Sequence, residues 1–230
     1  MTTKVAVPDG EFDLHVWLPE AGRGPGVLLI QEIFGVGEYI RAVAEDLAGL
    51  GYVVAAPDLF WRMEPNWTVQ ATPETMPQAM EAQARFDQAK GLDDLEASLA
   101  KLVEMPEVAG KVGALGFCMG GTLAYLLAAR TDLDAVVSFY GSGVAGALDQ
   151  IDRIGGPLLF VFGGSDPYIS RESVAEVERA AETRPNIDIA VVEQGGHAFH
   201  NRTSQMFYQE EPAKEGWALA EDFLRRHLAS

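Results

Sequence analysis

Short apolar runs alternate along this chain with stretches in which apolar residues return every three or four positions. FDLHVWL (12–18) alternates apolar and polar residues and predicts a half-buried strand. GVLLIQE (26–32) predicts a short buried strand that opens into the glycine-containing bend IFGVGEY. IRAVAEDLAGLG (40–51) has helical spacing and stops at glycine. YVVAAPDLF predicts a strand and a turn, DDLEASLAKLVEM (93–105) a helix, KVGALGF (111–117) a strand and MGGTLAYLLAAR (119–130) a helix. LDAVVSFYG, PLLFVFGGSD and IDIAVVEQGG predict three further strands, each ending in glycine or turn residues. SRESVAEVERAAE (170–182) predicts the helix between the last two, and EPAKEGWALAEDFLRRHLA (211–229) the closing helix.

Strands that alternate with helices predict an α/β fold: one domain over 1–230, built on a mostly parallel sheet with helices on both faces. In such sheets ligands bind beyond the carboxyl ends of the strands. Residues 57–91 break the alternation. They are rich in Pro, Met, Trp and Gln and too long for a simple connection. They predict a part-helical insertion that covers the carboxyl edge of the sheet.

Composition narrows the function classes. At 48% hydrophobic residues the chain can bury a large core. A net charge of −17 argues against a nucleic-acid partner, because phosphate-backbone binding needs a basic face. One cysteine forbids an internal disulfide and excludes a cysteine-rich metal site. MTTKVAVPDGEFDLHVWLPE has no charged start followed by a long apolar run, and no apolar run approaches the ~20 residues of a membrane span. A cytoplasmic, membrane-free protein without metal or cofactor is expected; its oligomeric state is left open.

The single cysteine, Cys118, lies in GFCMGG at the junction of a predicted strand and a predicted helix. G-x-nucleophile-x-G at such a junction is a nucleophile elbow, here with a thiol in place of a hydroxyl. The helix start behind it favours developing negative charge, and the Met119 backbone N–H is a candidate oxyanion donor. Nucleophile, acid and histidine follow in that order on this fold. Asp166, past PLLFVFGGSD, and His197, past IDIAVVEQGG, fit the order and the strand ends. His197 would take the thiol proton and Asp166 would orient its ring. His200, three residues on, is the rival base.

These residues resemble the dienelactone hydrolase family. The shared features are QEIFG (31–35), GFCMGG (116–121), FYG (139–141), GGSDPYI (163–169) and GGHAF (195–199). The resemblance implies an α/β-hydrolase fold and ester or lactone hydrolysis by a Cys–Asp–His triad, with a small-molecule substrate and no cofactor. It implies that Glu32 contacts the resting thiol and helps remove its proton, and that the Ile33 backbone N–H completes the oxyanion hole.

It also implies a substrate pocket, for which Phe34, Tyr140, Arg202, Arg85 and Trp61 are the candidates. Characterised dienelactone enzymes hold their substrate's carboxylate with two arginines. The matching positions here are Met76 and Asn201, and an insertion aromatic is replaced by Gln83. Neutral esters or lactones are therefore expected to be better substrates than carboxylate-bearing analogues. The alternatives are a thiol-based redox or sensing protein, or a non-hydrolytic reaction on the same fold.

Overall fold

The computed structural model describes residues 1–228; Ala229, the last residue of the expected closing helix, and Ser230 lie outside them. The strands are β1 (Thr2–Val7), β2 (Gly10–Trp17), β3 (Gly24–Ile30), β4 (Val53–Pro57), β5 (Val108–Phe117), β6 (Ala135–Phe139), β7 (Leu158–Gly163) and β8 (Ile187–Val192). They form one sheet in the order β1-β2-β4-β3-β5-β6-β7-β8. Everything from β4 to β8 pairs in parallel, and β1 and β2 add an antiparallel margin. The expected α/β architecture is therefore present. The first strand was not expected: TTKVAV is half polar, buries only Val5, and pairs with β2 through a tight turn.

The helices are α1 (Glu38–Gly49), α2 (Met76–Arg85), α3 (Gln88–Val103), α4 (Met119–Ala128), α5 (Arg171–Ala181) and α6 (Glu210–Leu228). They cover both faces. A Cβ on Gly113 would lie 3.1 Å from Leu228 in α6, whereas one on Gly116 would lie 2.0 Å from the Gly120 carbonyl in α4. These two positions differ in parity along β5, so α6 and α4 lie on opposite faces. Tyr39 in α1 packs on His200, which in turn stacks on Trp217 of α6, so α1 shares the α6 face. β4, β6 and β7 are buried throughout, β3 and β5 in their later residues, and the edge strand β8 at its two ends; their Val, Leu, Ile and Phe side chains form the core between the two helical layers.

Two further elements depart from the sequence expectation. α3 begins at Gln88 rather than near residue 93, so the segment that interrupts the alternation is shorter than 57–91. Asp87 caps it, accepting from the Ala89 and Lys90 N–H groups at 3.1 and 3.2 Å. Gly91 reads as a helix breaker, but it lies within α3 because the Phe86 ring lies against it: a Cβ there would stand 2.1 Å from Cζ. A 3-10 segment, Ala145–Arg153, follows β6 where no element was expected. Between β4 and α3, only α2 is helical, and of its residues only Ala79 is buried.

Candidate active site

Cys118 is the one residue between β5 and α4, with φ 54° and ψ −116°, a strained conformation for a side chain with a Cβ. Close packing fixes it there. The Gly116 and Gly120 backbones touch, and a Cβ on Gly120 would lie 2.4 and 2.5 Å from the Ile30 and Gln31 carbonyls at the end of β3. Bulkier residues cannot occupy these positions without moving the strand ends. The Cys118 N–H donates to the Phe139 carbonyl at 3.0 Å, which ties the turn to β6.

Asp166 and His197 both lie just beyond strand ends, after β7 and β8. The Cys118 Sγ is 3.1 Å from His197 Nε2, and His197 Nδ1 is 2.8 Å from Asp166 Oδ2. Asp166 is itself held: its Oδ1 accepts from the Tyr168 and Ile169 N–H groups at 2.8 and 3.2 Å. Burial disfavours a charged His197 ring, but Asp166 and the cysteine sulfur outweigh it and raise its pKa to about 10. The arrangement stabilises an imidazolium beside the sulfur.

The rival histidine is placed elsewhere. His200 is buried, its Nδ1 lies 2.8 Å from the Tyr39 hydroxyl, and its ring stacks on Phe117 and Trp217. Burial, with help from Arg202, lowers its pKa to about 4, so it is neutral at ordinary pH.

Glu32 follows β3 and is almost wholly buried. Among the described residues it makes no hydrogen bond to the Cys118 thiol, in contrast to the contact that the resemblance implies. Its Oε2 instead accepts from Asn201 Nδ2 at 2.8 Å, and its Oε1 is buried without a partner. Burial pushes its pKa up to about 7, against opposing contributions from His197 and Asn201. The neighbouring Gln31 locks the strand end, accepting from the Leu59 N–H at 3.1 Å. Among the described residues, the Ile33 and Met119 backbone N–H groups donate no hydrogen bond.

A cavity of about 150 Å³ opens over the thiol. Cys118, His197 and Glu32 share it with Phe34 and Phe207, and α2 contributes Met76, Met80 and Gln83. Ser142 and Tyr168 complete its polar lining, which contains no Arg or Lys.

Of the expected pocket residues, only Phe34 lines this cavity. Arg202 is drawn away to α1, where it pairs with Asp46 and donates to the Ala42 carbonyl at 3.1 Å. Arg85 is exposed at the end of α2, within 3.9 Å of Glu81 one turn back. Trp61 stacks on Phe12 and donates to Asp94 at 3.0 Å, a structural tie to α3. Tyr140 is fully buried beneath the histidine, with ring centroids 5.4 Å apart and its hydroxyl 3.4 Å from that of Tyr39. The Asn201–Glu32 bond, the Tyr39–His200 pair and the Tyr168 and Phe207 walls were not visible in the sequence. The sequence marked Asn201 only as the position where the family carries an arginine; its bond to Glu32 had no signal there.

Comparison with known proteins assigns the family of the chain. The sequence model of the dienelactone hydrolase family matches residues 12–228. The chain belongs to this family. It is 33% identical over 198 residues to a carboxymethylenebutenolidase of Pseudomonas putida, which covers 86% of this chain and 84% of the relative. It is 34% identical over 204 residues to a carboxymethylenebutenolidase of Pseudomonas sp. strain P51, covering 87% and 84%. The crystal structure of a dienelactone hydrolase from Anabaena variabilis superposes with a TM-score of 0.72 over 99% of this chain and 97% of that one; at 19% identity this likeness speaks for the fold. The protein is thus an α/β-hydrolase-fold hydrolase of the dienelactone hydrolase family. Among the described residues, no helix is long and apolar enough to cross a membrane.

Proposed function

We propose that the protein hydrolyses small, uncharged esters or lactones through an acyl-thioester on Cys118. The observation that carries this reading is the alignment of Sγ, the His197 ring and Asp166 at 3.1 and 2.8 Å on the floor of the cavity. His197 takes the thiol proton and the sulfur attacks the ester carbonyl. The unpaired Ile33 and Met119 N–H groups receive the developing oxyanion. Collapse of the tetrahedral adduct breaks the C–O bond, and the imidazolium protonates the leaving alkoxide. In a lactone that alcohol stays tethered to the acyl group. Water then adds to the thioester, gives its proton to His197 and releases the acid and the thiolate.

Asp166 holds the ring in the required tautomer. Glu32 lowers the cost of the imidazolium: the charged ring in turn favours the ionised carboxyl. Here Asn201 holds that carboxyl in place. The uncharged lining from Phe34, Met76 and Met80, with Gln83 and Ser142 as hydrogen-bonding groups, suits a neutral substrate. A substrate carboxylate would be buried without a cation, which costs several kcal/mol. The segment carrying α2 serves as the cover of the site.

The test is a panel of short chromogenic esters and small lactones, with wild type and Cys118→Ala compared, and mass spectrometry of the quenched enzyme. Turnover with an acyl adduct on Cys118 supports the reading. Turnover by Cys118→Ala at the wild-type rate refutes it.

A further inference from the structure

A second cavity, of about 240 Å³, lies on the other side of Glu32. Glu32 and Phe34 line both cavities and so form the partition between them. The two differ in chemistry. Around the thiol the walls are methionine and aromatic, whereas the rear chamber is lined by Glu38 and Tyr39 from α1, Thr68 and Gln70 from the segment before α2, and Asn201 and Thr203. Glu38, Thr68 and Gln70 are exposed, so the chamber reaches the surface there.

Thioester hydrolysis poses a problem of access that this arrangement answers. A water needs a share of about 30 Å³, so the front cavity of about 150 Å³ has room for a handful of waters or for one small acyl group. Once the acyl group is on Cys118, it occupies the space through which it entered. Glu32, in the wall that the two cavities share, has one carboxyl oxygen, Oε1, that is buried with no hydrogen-bond partner among the described residues, while Oε2 is fixed by Asn201. An unpaired carboxylate oxygen in a wall shared with a polar chamber is a strong acceptor for water. One residue beyond Glu32 lies the Ile33 N–H, a candidate oxyanion donor, so water arriving there is beside the carbonyl to be attacked.

We propose that the polar chamber behind Glu32 is the entrance for the hydrolytic water, which reaches the acyl-thioester past Glu32 while the acyl group fills the front cavity. The water oxygen bonds to the thioester carbonyl carbon and its proton passes to His197 Nε2. The C–S bond then breaks, with its electron pair returning to sulfur. Glu32 Oε1 accepts a hydrogen bond from the incoming water, and Asn201 keeps the carboxyl in the partition. Substrate and water thus use separate doors. The proposal rests on the acyl-thioester reading above.

The experiment narrows the rear mouth and reads the two half-reactions separately. Thr68→Trp and Glu38→Trp place bulk at two exposed positions on separate elements, so each checks the other. Stopped-flow release of nitrophenol from nitrophenyl butyrate gives acylation, steady-state turnover gives the complete cycle, and mass spectrometry gives the fraction of acylated Cys118. Expected is an acylation rate within about twofold of wild type, turnover lowered about tenfold or more, and acyl-enzyme that accumulates. Unchanged turnover in both variants, or acylation and turnover lowered by the same factor, overturns the rear entrance. Failure of the underlying reading shows differently: wild type itself then carries no acyl group on Cys118.

Discussion

Replacing Glu32 by glutamine should make the protein more stable at alkaline pH while slowing its chemistry. The folded carboxyl titrates near 7, against an ordinary value of 4.5, chiefly because it is buried. Its folded pKa is raised, so between these two values the native state holds more protons than the unfolded chain. Stability must therefore fall as pH rises through that window, and the full penalty is present above it. A gap of about 2.5 units at about 1.4 kcal/mol each sets that penalty near 3 kcal/mol, and full burial leaves solvent little part in screening it. Near pH 5.5 less than half of this penalty applies, and near pH 8 nearly all of it.

Glutamine keeps the shape and can still accept from Asn201, but it carries no charge to desolvate. The gain from Glu32→Gln should therefore roughly double between about pH 5.5 and about pH 8, where it corresponds to ~6–12 °C in Tm for a chain of this size. Urea and thermal unfolding of both proteins at the two pH values measure it. A gain that does not depend on pH, or a loss that deepens at pH 8, would refute the argument that Glu32 is an ionisable group held against its solvation. Ester hydrolysis by the variant should fall in the same preparations, since the imidazolium loses a nearby carboxylate.

Cys118→Ala should fold normally and lose hydrolysis by about 10⁴-fold or more, and iodoacetamide should inactivate wild type in step with labelling of Cys118; substantial turnover in the alanine variant counts against the nucleophile. His197→Ala should abolish activity at little cost in stability, whereas His200→Ala should lose on the order of 3 kcal/mol of stability, by removing a stacked buried ring, yet retain most of its kcat; the reverse pattern in assays and urea melts would exchange their roles. Asn201→Ala should free the Glu32 carboxyl and change the pH dependence of thiol alkylation; an identical alkylation profile shows that Asn201 positions nothing. Matched neutral and anionic substrates should differ in kcat/KM in favour of the neutral one, and Arg202→Ala and Arg85→Ala should leave the ratio unchanged, because neither guanidinium lines the cavity; a ratio that shifts with either variant contradicts the uncharged pocket.

The elements whose periodicity is strong were legible in the sequence. The central parallel strands are apolar runs buried on both faces, and GFCMGG announces its turn because only glycines tolerate the contacts at Gly116 and Gly120. The strand ends placed Cys118, Asp166 and His197 near one another, since loops after neighbouring parallel strands emerge on one edge of the sheet. Spacing alone could not choose between His197 and His200. The structure separates them by one turn of chain: Ala198, at φ 53°, sends the two rings in different directions, one to the thiol and one to Tyr39. Arg202 was misread because a cation near the histidine looks like a ligand clamp, whereas its partner, Asp46, lies far away in sequence on α1. Pairings of this kind depend on tertiary distances that no local pattern encodes. Trp61 and Asp94 went unseen as a pair for the same reason, and the first strand, with only three apolar residues and one of them buried, gave too short a signal.

The weak anchoring of α2 bears on how this protein changes over generations. That helix buries only Ala79 against the body of the protein, yet Met76, Met80 and Gln83 face the space above the thiol. Substitutions that reshape the space therefore cost little of the narrow stability margin that a folded chain must keep, since most of the side chains involved are not part of the core. Changes at Gly116, Gly120 or Gly121, by contrast, meet packed backbone and carry a large cost in stability. Selection can thus alter what the protein accepts almost independently of how it reacts, and new preferences should arise first on α2, as single exposed or half-exposed replacements.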